Sequence, residues 1–290
     1  MNIIITGGAG FVGSNLIKKL LNNNQSVKIL SIDNYLTGSK SNEIDNDRVE
    51  YVNDSTWNIN KFKKYSDFNP LILYHFGEYS RIAPSFEEPN LVMEHNMRGT
   101  YEVIEFCRNN NCKLIYSGST SIFGNNMKDQ NNSPYSWTKA KNIELIKNYQ
   151  KWYDLDFTIV YFSNVYGAGQ ITAGKYSTVI GIFERQYKNN ESLTVVRPGT
   201  QTRDFTHISD TIDAIILASN KGKGDGYIIR TGIQYNIIEV AQIFSDNIKF
   251  IAKQRGNRTE SSGNMKKMAE LGWKSKINLK NYIYNLFHRK

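Results

Sequence analysis

Of the 18 tyrosines in this chain, only Tyr135 is followed by a lysine four residues on, in Tyr135-Ser-Trp-Thr-Lys139. On a helix that spacing puts both side chains on one face. An ammonium beside a phenol favours the phenolate and so lowers its pKa, which suits the pair to take a proton from a substrate hydroxyl near neutral pH. An isolated pair of this kind also arises by accident on helix surfaces. Here a second feature stands just upstream, Tyr116-Ser-Gly-Ser119-Thr-Ser-Ile-Phe-Gly124. It reads as an apolar strand ending in hydroxyl residues, from which Ser119 can bond the same substrate oxygen at a sheet's C-terminal edge.

A base of this kind needs something to accept a hydride, and the N-terminus offers a place to hold it. Asn2-Ile-Ile-Ile-Thr6 reads as a short buried strand and runs into Gly7-Gly8-Ala9-Gly10-Phe11-Val12-Gly13. Helical spacing follows from Ser14 to Leu21. Gly7, Gly10 and Gly13 let the backbone, with Phe11 and Val12 between the last two, approach a pyrophosphate at a helix N-terminus. Glycines also make ordinary tight turns, but Asp33 closes the next apolar run 20 residues past Gly13, where an acid bonds adenosine ribose hydroxyls. That acid repels a 2′-phosphate, so the pattern favours NAD over NADP.

The elements that must position these groups alternate in type. Candidate strands are Asn2–Thr6, Val27–Ile32, Val49–Val52, Leu71–His75, Lys113–Ser117 and Phe157–Tyr161, with long helical patterns over Asn90–Arg108 and Ser136–Tyr153. The alternation predicts an α/β fold, a doubly wound (Rossmann) parallel sheet. After Tyr166-Gly-Ala-Gly169 the texture breaks into loops and shorter segments. The division expected is a dinucleotide-binding domain over 1–165, completed by part of 193–232, and a smaller, mainly substrate-binding lobe over 166–290. Ligands would lie in the crevice between them. The Asn-rich stretches 22–24, 109–111 and 125–132 read as loops without a binding role.

Composition excludes several classes. With 40% hydrophobic and 22% charged residues, the chain is ordinary for a globular enzyme. No apolar run approaches the roughly 18–20 residues that span a bilayer, and the first strand starts at residue 2, leaving no room for a leader. Two cysteines, Cys107 and Cys112, suit a reducing cytoplasm. The net charge of +9 raises nucleic acid, but the basic residues are spread along the chain and suit a small anionic substrate equally. Four scattered histidines, His75, His95, His207 and His288, have no metal-ligand spacing, so no metal is expected.

Taken together, the glycine turn, Asp33, Ser119, Tyr135 and Lys139 make the chain resemble an extended short-chain dehydrogenase/reductase of the nucleotide-sugar epimerase/dehydratase family, similar to UDP-glucose 4-epimerases. The likeness spans nearly the whole chain. It implies cofactor contacts from Gly7, Gly10, Phe11, Val12, Gly13, Asp33 and Asn34, from Asp54 (resembling the acid that contacts adenine), from Gly77 and Asn96, and from Tyr135 and Lys139 through the nicotinamide ribose. It implies substrate contacts from Ser119 and from Asn164, in Tyr161-Phe-Ser-Asn164-Val-Tyr-Gly. Arg203, in Thr200-Gln-Thr-Arg203-Asp-Phe, resembles the arginine that grips the diphosphate bidentately, or it pairs with Asp204 or Asp210. Arg255 is a second phosphate ligand on the same basis, with Arg258 competing for the role. Asn164 could instead cap a turn.

The resemblance also narrows the reaction. Family members that dehydrate place Asp-Glu after the catalytic hydroxyl, and those that decarboxylate usually place a Glu two residues beyond it. Thr120 and Ser121 stand there, and neither does carboxyl chemistry at neutral pH. What is left is hydride transfer with one proton shuttle: reversible oxidation at sugar C4 by NAD with Tyr135 as base, or one-way 4-dehydrogenation or 4-ketoreduction by the same residues. A catalytically idle NAD-sensing protein would have no need of a tuned phenol. Two departures stand out. Gly77-Glu78 replaces two small residues, bringing a carboxylate toward the cofactor or out to solvent, and Arg197-Pro198-Gly199 replaces the family's Gly-Asp-Gly turn. The family further implies a homodimer through Asn90–Arg108 and Ser136–Tyr153, and a role in surface polysaccharide synthesis.

Overall fold

The computed structural model describes residues 1–125, 131–162, 164–256 and 263–288. Its first half is a run of strand-helix units. The strands are β1 (Asn2–Thr6), β2 (Lys28–Asp33), β3 (Val49–Asn53), β4 (Ile72–His75), β5 (Lys113–Ser119) and β6 (Phe157–Phe162). Between them lie α1 (Phe11–Asn23), α2 (Lys63–Asp67), α3 (Pro89–Val92), α4 (Gly99–Asn109) and α5 (Pro134–Tyr153). The helical pattern expected over 90–108 is realised as α3, a π-helical stretch Met93–Arg98 and α4 in direct succession.

The second half carries β7 (Val165–Tyr166), α6 (Val179–Lys188), β8 (Leu193–Val196), β9 (Thr202–Asp204), β10 (Thr206–His207) and α7 (Ile208–Lys221). It continues through β11 (Gly224–Ile229), β12 (Gln234–Asn236), α8 (Ile237–Phe244), β13 (Ile248–Ile251), α9 (Lys266–Glu270) and α10 (Leu279–His288). The main sheet has seven strands in the order β11-β6-β5-β4-β1-β2-β3, and every pair in it is parallel. The chain reverses direction across the sheet between β1 and β4, which opens a crevice at their C-terminal ends.

Both faces of the sheet are covered, which is why its strands read as unbroken apolar runs. One face packs Ile4, Leu73, Leu114 and Ile159 with Val103, Phe106, Ile143 and Ile146 of α4 and α5. The other packs Ile3, Ile5, Ile29 and Ile115 with Leu16 and Leu20 of α1 and Ile212 and Ile215 of α7. So 208–229 returns to the sheet, and Met268 and Trp273 join that same core. A separate core of Tyr166, Phe183, Val195, Phe205, Val240 and Phe244 holds the rest of the C-terminal lobe together.

Candidate active site

Between the sheet's C-terminal edge and the lobe lies a cleft of about 560 Å³. Its walls include Gly7, Gly10, Phe11, Val12, Gly13, Asp33 and Asn34 from β1, α1 and β2. Gly77 and Glu78 follow β4; Ser119, Tyr135 and Lys139 come from β5 and α5, and Asn164 and Arg203 from the lobe side.

The glycine turn is packed too closely for side chains. A Cβ on Gly13 would lie 2.2 Å from the Gly7 carbonyl oxygen, and Gly7 itself has φ +73° with a Cβ position 2.7 Å from the Phe76 carbonyl carbon. A left-handed backbone favours glycine, and the turn delivers the α1 N-terminus to the cleft. Asp33 fixes it from β2: Oδ2 accepts from Ala9 N (2.9 Å) and Oδ1 from Tyr35 N (2.8 Å). Burial raises the Asp33 pKa, against the lowering effect of those two backbone donors. The residues therefore fit a dinucleotide's pyrophosphate and ribose.

Ser133 starts α5, its hydroxyl accepting from Ser136 N with Pro134 in the first turn, an arrangement that suits a helix start. The helix then buries Tyr135 and Lys139, 8% and 3% exposed. Lys139 Nζ donates to Glu78 Oε2 and to the Ser117 carbonyl, with Ser117 Oγ at 3.3 Å. Glu78 is thus neither in solvent nor idle. Its Oε1 accepts from Thr100 Oγ1 (2.9 Å), Tyr116 OH (3.0 Å) and Asn142 Nδ2 (3.0 Å). A buried carboxylate thus balances the Lys139 ammonium. Burial, then Glu78, drive the Tyr116 phenol well above its usual range. Ser119 caps the 3₁₀ turn Thr120–Phe123, accepting from Ser121 N and donating to Ser121 Oγ (2.9 Å).

Several expected contacts sit elsewhere. Asp54 does not line the cleft; its carboxylate accepts from Ser55 N, Asn58 Nδ2 and Tyr65 OH, turned toward α2. Asn96, fully buried, accepts from Tyr79 N and donates to Tyr79 O and Thr138 Oγ1. It staples the segment after β4 to α5 rather than facing the cleft. Arg255 is exposed and stacks on Phe86, 4.5 Å from its centroid, and Arg258 lies outside the described residues. Arg203 does line the cleft. Its Nη1 donates to Thr202 O (2.7 Å), while Asp204 pairs with Arg230 (3.0 Å) and Asp210 accepts from the Lys276 and Ile277 amides. Asn164 Nδ2 donates to Asp204 O at 2.9 Å, so it holds a turn and lines the cleft at once.

Sequence reasoning passed over Arg81. It lines the cleft and donates from Nε to Tyr176 O (2.7 Å) and from Nη1 to Ser80 O and Oγ. No motif marks it; only the fold brings it there. No group of three or more metal-ligating side chains occurs among the described residues, and among them no helix is long and apolar enough to cross a membrane.

Comparison with known proteins agrees with this architecture. Residues 3–237 match the model of the NAD dependent epimerase/dehydratase family. A putative UDP-glucose 4-epimerase of Methanocaldococcus jannaschii is 32% identical over 97% of this chain and 95% of its own. Among solved structures, the UDP-glucose 4-epimerase of Thermotoga maritima with UDP-glucose superposes with TM-score 0.91 at 24% identity, covering 98% of this chain and 96% of that one. A dTDP-glucose 4,6-dehydratase of Streptomyces venezuelae with NAD bound superposes nearly as well, at TM-score 0.89 and 20% identity over 99% and 96%.

Proposed function

Because the chain belongs to the NAD dependent epimerase/dehydratase family, we propose that it is a nucleotide-sugar 4-epimerase. The observation that carries this reading is the joining of the glycine turn and Asp33 with Ser119, Tyr135 and Lys139 in one cleft. Thr120 and Ser121 stand where the family's dehydratases carry a carboxyl pair. Both are 2% exposed, and neither can act as a carboxyl acid or base.

NAD, when bound, supplies the hydride acceptor and returns the hydride. Gly7, Gly10 and Gly13 would hold its pyrophosphate and Asp33 its adenosine ribose. Tyr135 takes the proton from the sugar 4-hydroxyl and later gives it back. Ser119 releases Ser121 to bond that same oxygen. Lys139, anchored by Glu78, sets the position of the Tyr135 helix face and of the nicotinamide ribose. Asn164 and Arg203 hold the diphosphate, so that the sugar can turn over between the two hydride steps while remaining tethered. Charge-assisted guanidinium contacts suit that tether.

The same reading carries the assembly and location. Met93, Tyr101 and Trp137 are 40%, 45% and 37% exposed along the π stretch, α4 and α5, an apolar face suited to an isologous homodimer. A cytoplasmic enzyme fits the free, buried Cys107 and Cys112. Incubation with a panel of UDP-, dTDP-, GDP- and CDP-hexoses tests the function, with NMR reporting inversion at C4 and absorbance reporting net NADH. Inversion without net NADH is the expected result. Protein that carries NADH and turns over only with an added ketone acceptor would make it a dehydrogenase or ketoreductase instead.

A further inference from the structure

His95 ties three elements together at the β2 end of the cleft. It stands on the π-helical stretch Met93–Arg98, is 7% exposed, and lines the cleft together with Asp33 and Asn34. Helical turns of this width are rare and recur at functional sites. Its Nδ1 lies 2.9 Å from the Leu91 carbonyl oxygen, and its Nε2 lies 2.9 Å from Asn34 Nδ2. A carbonyl only accepts, so Nδ1 carries the proton and Nε2 of the neutral ring is the acceptor. The ring also meets Trp57, in the 3₁₀ turn Thr56–Asn58, edge-on with 5.1 Å between centroids. The Arg98 guanidinium closes over that indole at 5.7 Å.

The consequence reaches the cofactor through Asn34. Because Nε2 accepts, the Asn34 amide must turn its nitrogen toward His95. Its two Nδ2 hydrogens are then taken up by His95 Nε2 and Ser55 Oγ (3.3 Å), and Oδ1 accepts from Leu36 N (3.2 Å). An amide oxygen has two lone pairs, so what Asn34 keeps for a ligand is one acceptor and no donor. The neighbouring Asp33 carboxylate is an acceptor too, and the two together suit the hydroxyls of a ribose. Resting on the NAD of the family and not on which sugar is turned over, we propose that His95 is a positioning residue for the adenosine half of NAD. Its neutral ring holds Asn34 there as a hydrogen-bond acceptor. A ring that donated from Nε2 would turn the amide over, strip Leu36 N of its acceptor and put an N–H where the ribose brings O–H donors. No spacing marks His95 for this role, since Asn34 lies 61 positions away.

Calorimetric titration with NAD, ADP-ribose and nicotinamide mononucleotide, the last lacking adenosine, tests the proposal, with urea midpoints checking that each variant is folded. His95→Leu keeps a buried apolar side chain but no acceptor. It should weaken NAD and ADP-ribose about tenfold, the scale of one hydrogen bond lost to a ligand, and leave nicotinamide mononucleotide within about twofold. His95→Gln, which can place its amide oxygen where Nε2 stood, should recover most of the loss. Adding His95→Leu to Asn34→Ala should weaken ADP-ribose no further, because both act through one amide. Equal losses for all three ligands in His95→Leu overturn the proposal and make the ring a general support of the fold. An unchanged ADP-ribose affinity in His95→Leu, a His95→Gln protein as weak as His95→Leu, or losses that add in the double variant overturn it as well. If the wild-type protein binds neither NAD nor ADP-ribose, the cofactor reading itself falls and takes this inference with it.

Discussion

Replacing Gly13 by alanine sets two physical effects against each other. Gly13 lies inside α1, and helix propensity alone credits alanine with about 1 kcal/mol over glycine. The close packing of the turn opposes this. The new Cβ would lie 2.2 Å from Gly7 O, 2.7 Å from Gly8 Cα and 2.9 Å from Gly7 C, all backbone atoms that cannot swing aside. To reach ordinary contact, the turn and the helix must part by about 1 Å, and overpacking of this kind costs roughly 1–3 kcal/mol. The net expectation is a protein destabilised by up to about 2 kcal/mol. The same shift withdraws backbone N–H donors from the pyrophosphate. Hydrogen bonds to a charged group contribute about 1.5–3 kcal/mol, so NAD affinity should fall roughly tenfold to a hundredfold. Gly10→Ala is the graded control, because its Cβ meets a single atom, Gly7 O, at 3.1 Å, and its losses should be smaller on both counts. Urea unfolding and calorimetric NAD titration read the two quantities. A Gly13→Ala protein that gains stability and keeps full NAD affinity would refute the packing argument.

Tyr135→Phe should lower turnover at least about a hundredfold, the usual scale of acid–base contributions, with NAD binding unchanged in a fluorescence titration; near-normal turnover would remove Tyr135 as the base. His75, fully buried between Thr6 Oγ1 (2.7 Å) and Thr100 Oγ1 (3.0 Å), has its pKa pulled down to about 4 by burial. The unfolded chain therefore binds the proton more readily between pH 4 and 6.5, and stability must fall as pH falls through that window, by about 3 kcal/mol in all. Urea midpoints measured across it should slope accordingly, and His75→Gln should flatten the slope. Burial raises the Asp33 pKa, so its own contribution has the opposite sign, which is why the comparison with His75→Gln isolates the histidine. Tyr101→Glu combined with Trp137→Glu should convert the proposed dimer to monomer in light scattering, and an unchanged mass would place the interface elsewhere.

Much of the fold was legible because its signals are local. The six expected strands all appear within two residues of their observed ends, since buried parallel strands must be continuously apolar. The start of α5 was also local, with Ser133 and Pro134 beginning a helix that needs no partner to be recognised. Asp33 and the glycines were legible for a related reason: their spacing encodes a turn, and the turn encodes its ligand. Glu78 was ambiguous, open to either the cofactor or solvent, because nothing in Gly77-Glu78 says which way a side chain leaves the loop. Asp54 and Asn96 were expected at the cofactor, yet their polar atoms are held by neighbours such as Tyr65 and Tyr79, partners that no spacing rule connects to them.

By itself, the amino-acid sequence determined the doubly wound sheet, the dinucleotide turn, the Ser119, Tyr135 and Lys139 set and the absence of a dehydratase acid pair. Those properties follow from residues close together in the chain, where period and spacing translate directly into geometry. The tertiary structure alone decided which charges balance. It set Glu78 against Lys139 across 61 residues and Arg230 against Asp204 across 26. Coulomb interactions depend on distance and burial, and both are properties of the folded chain.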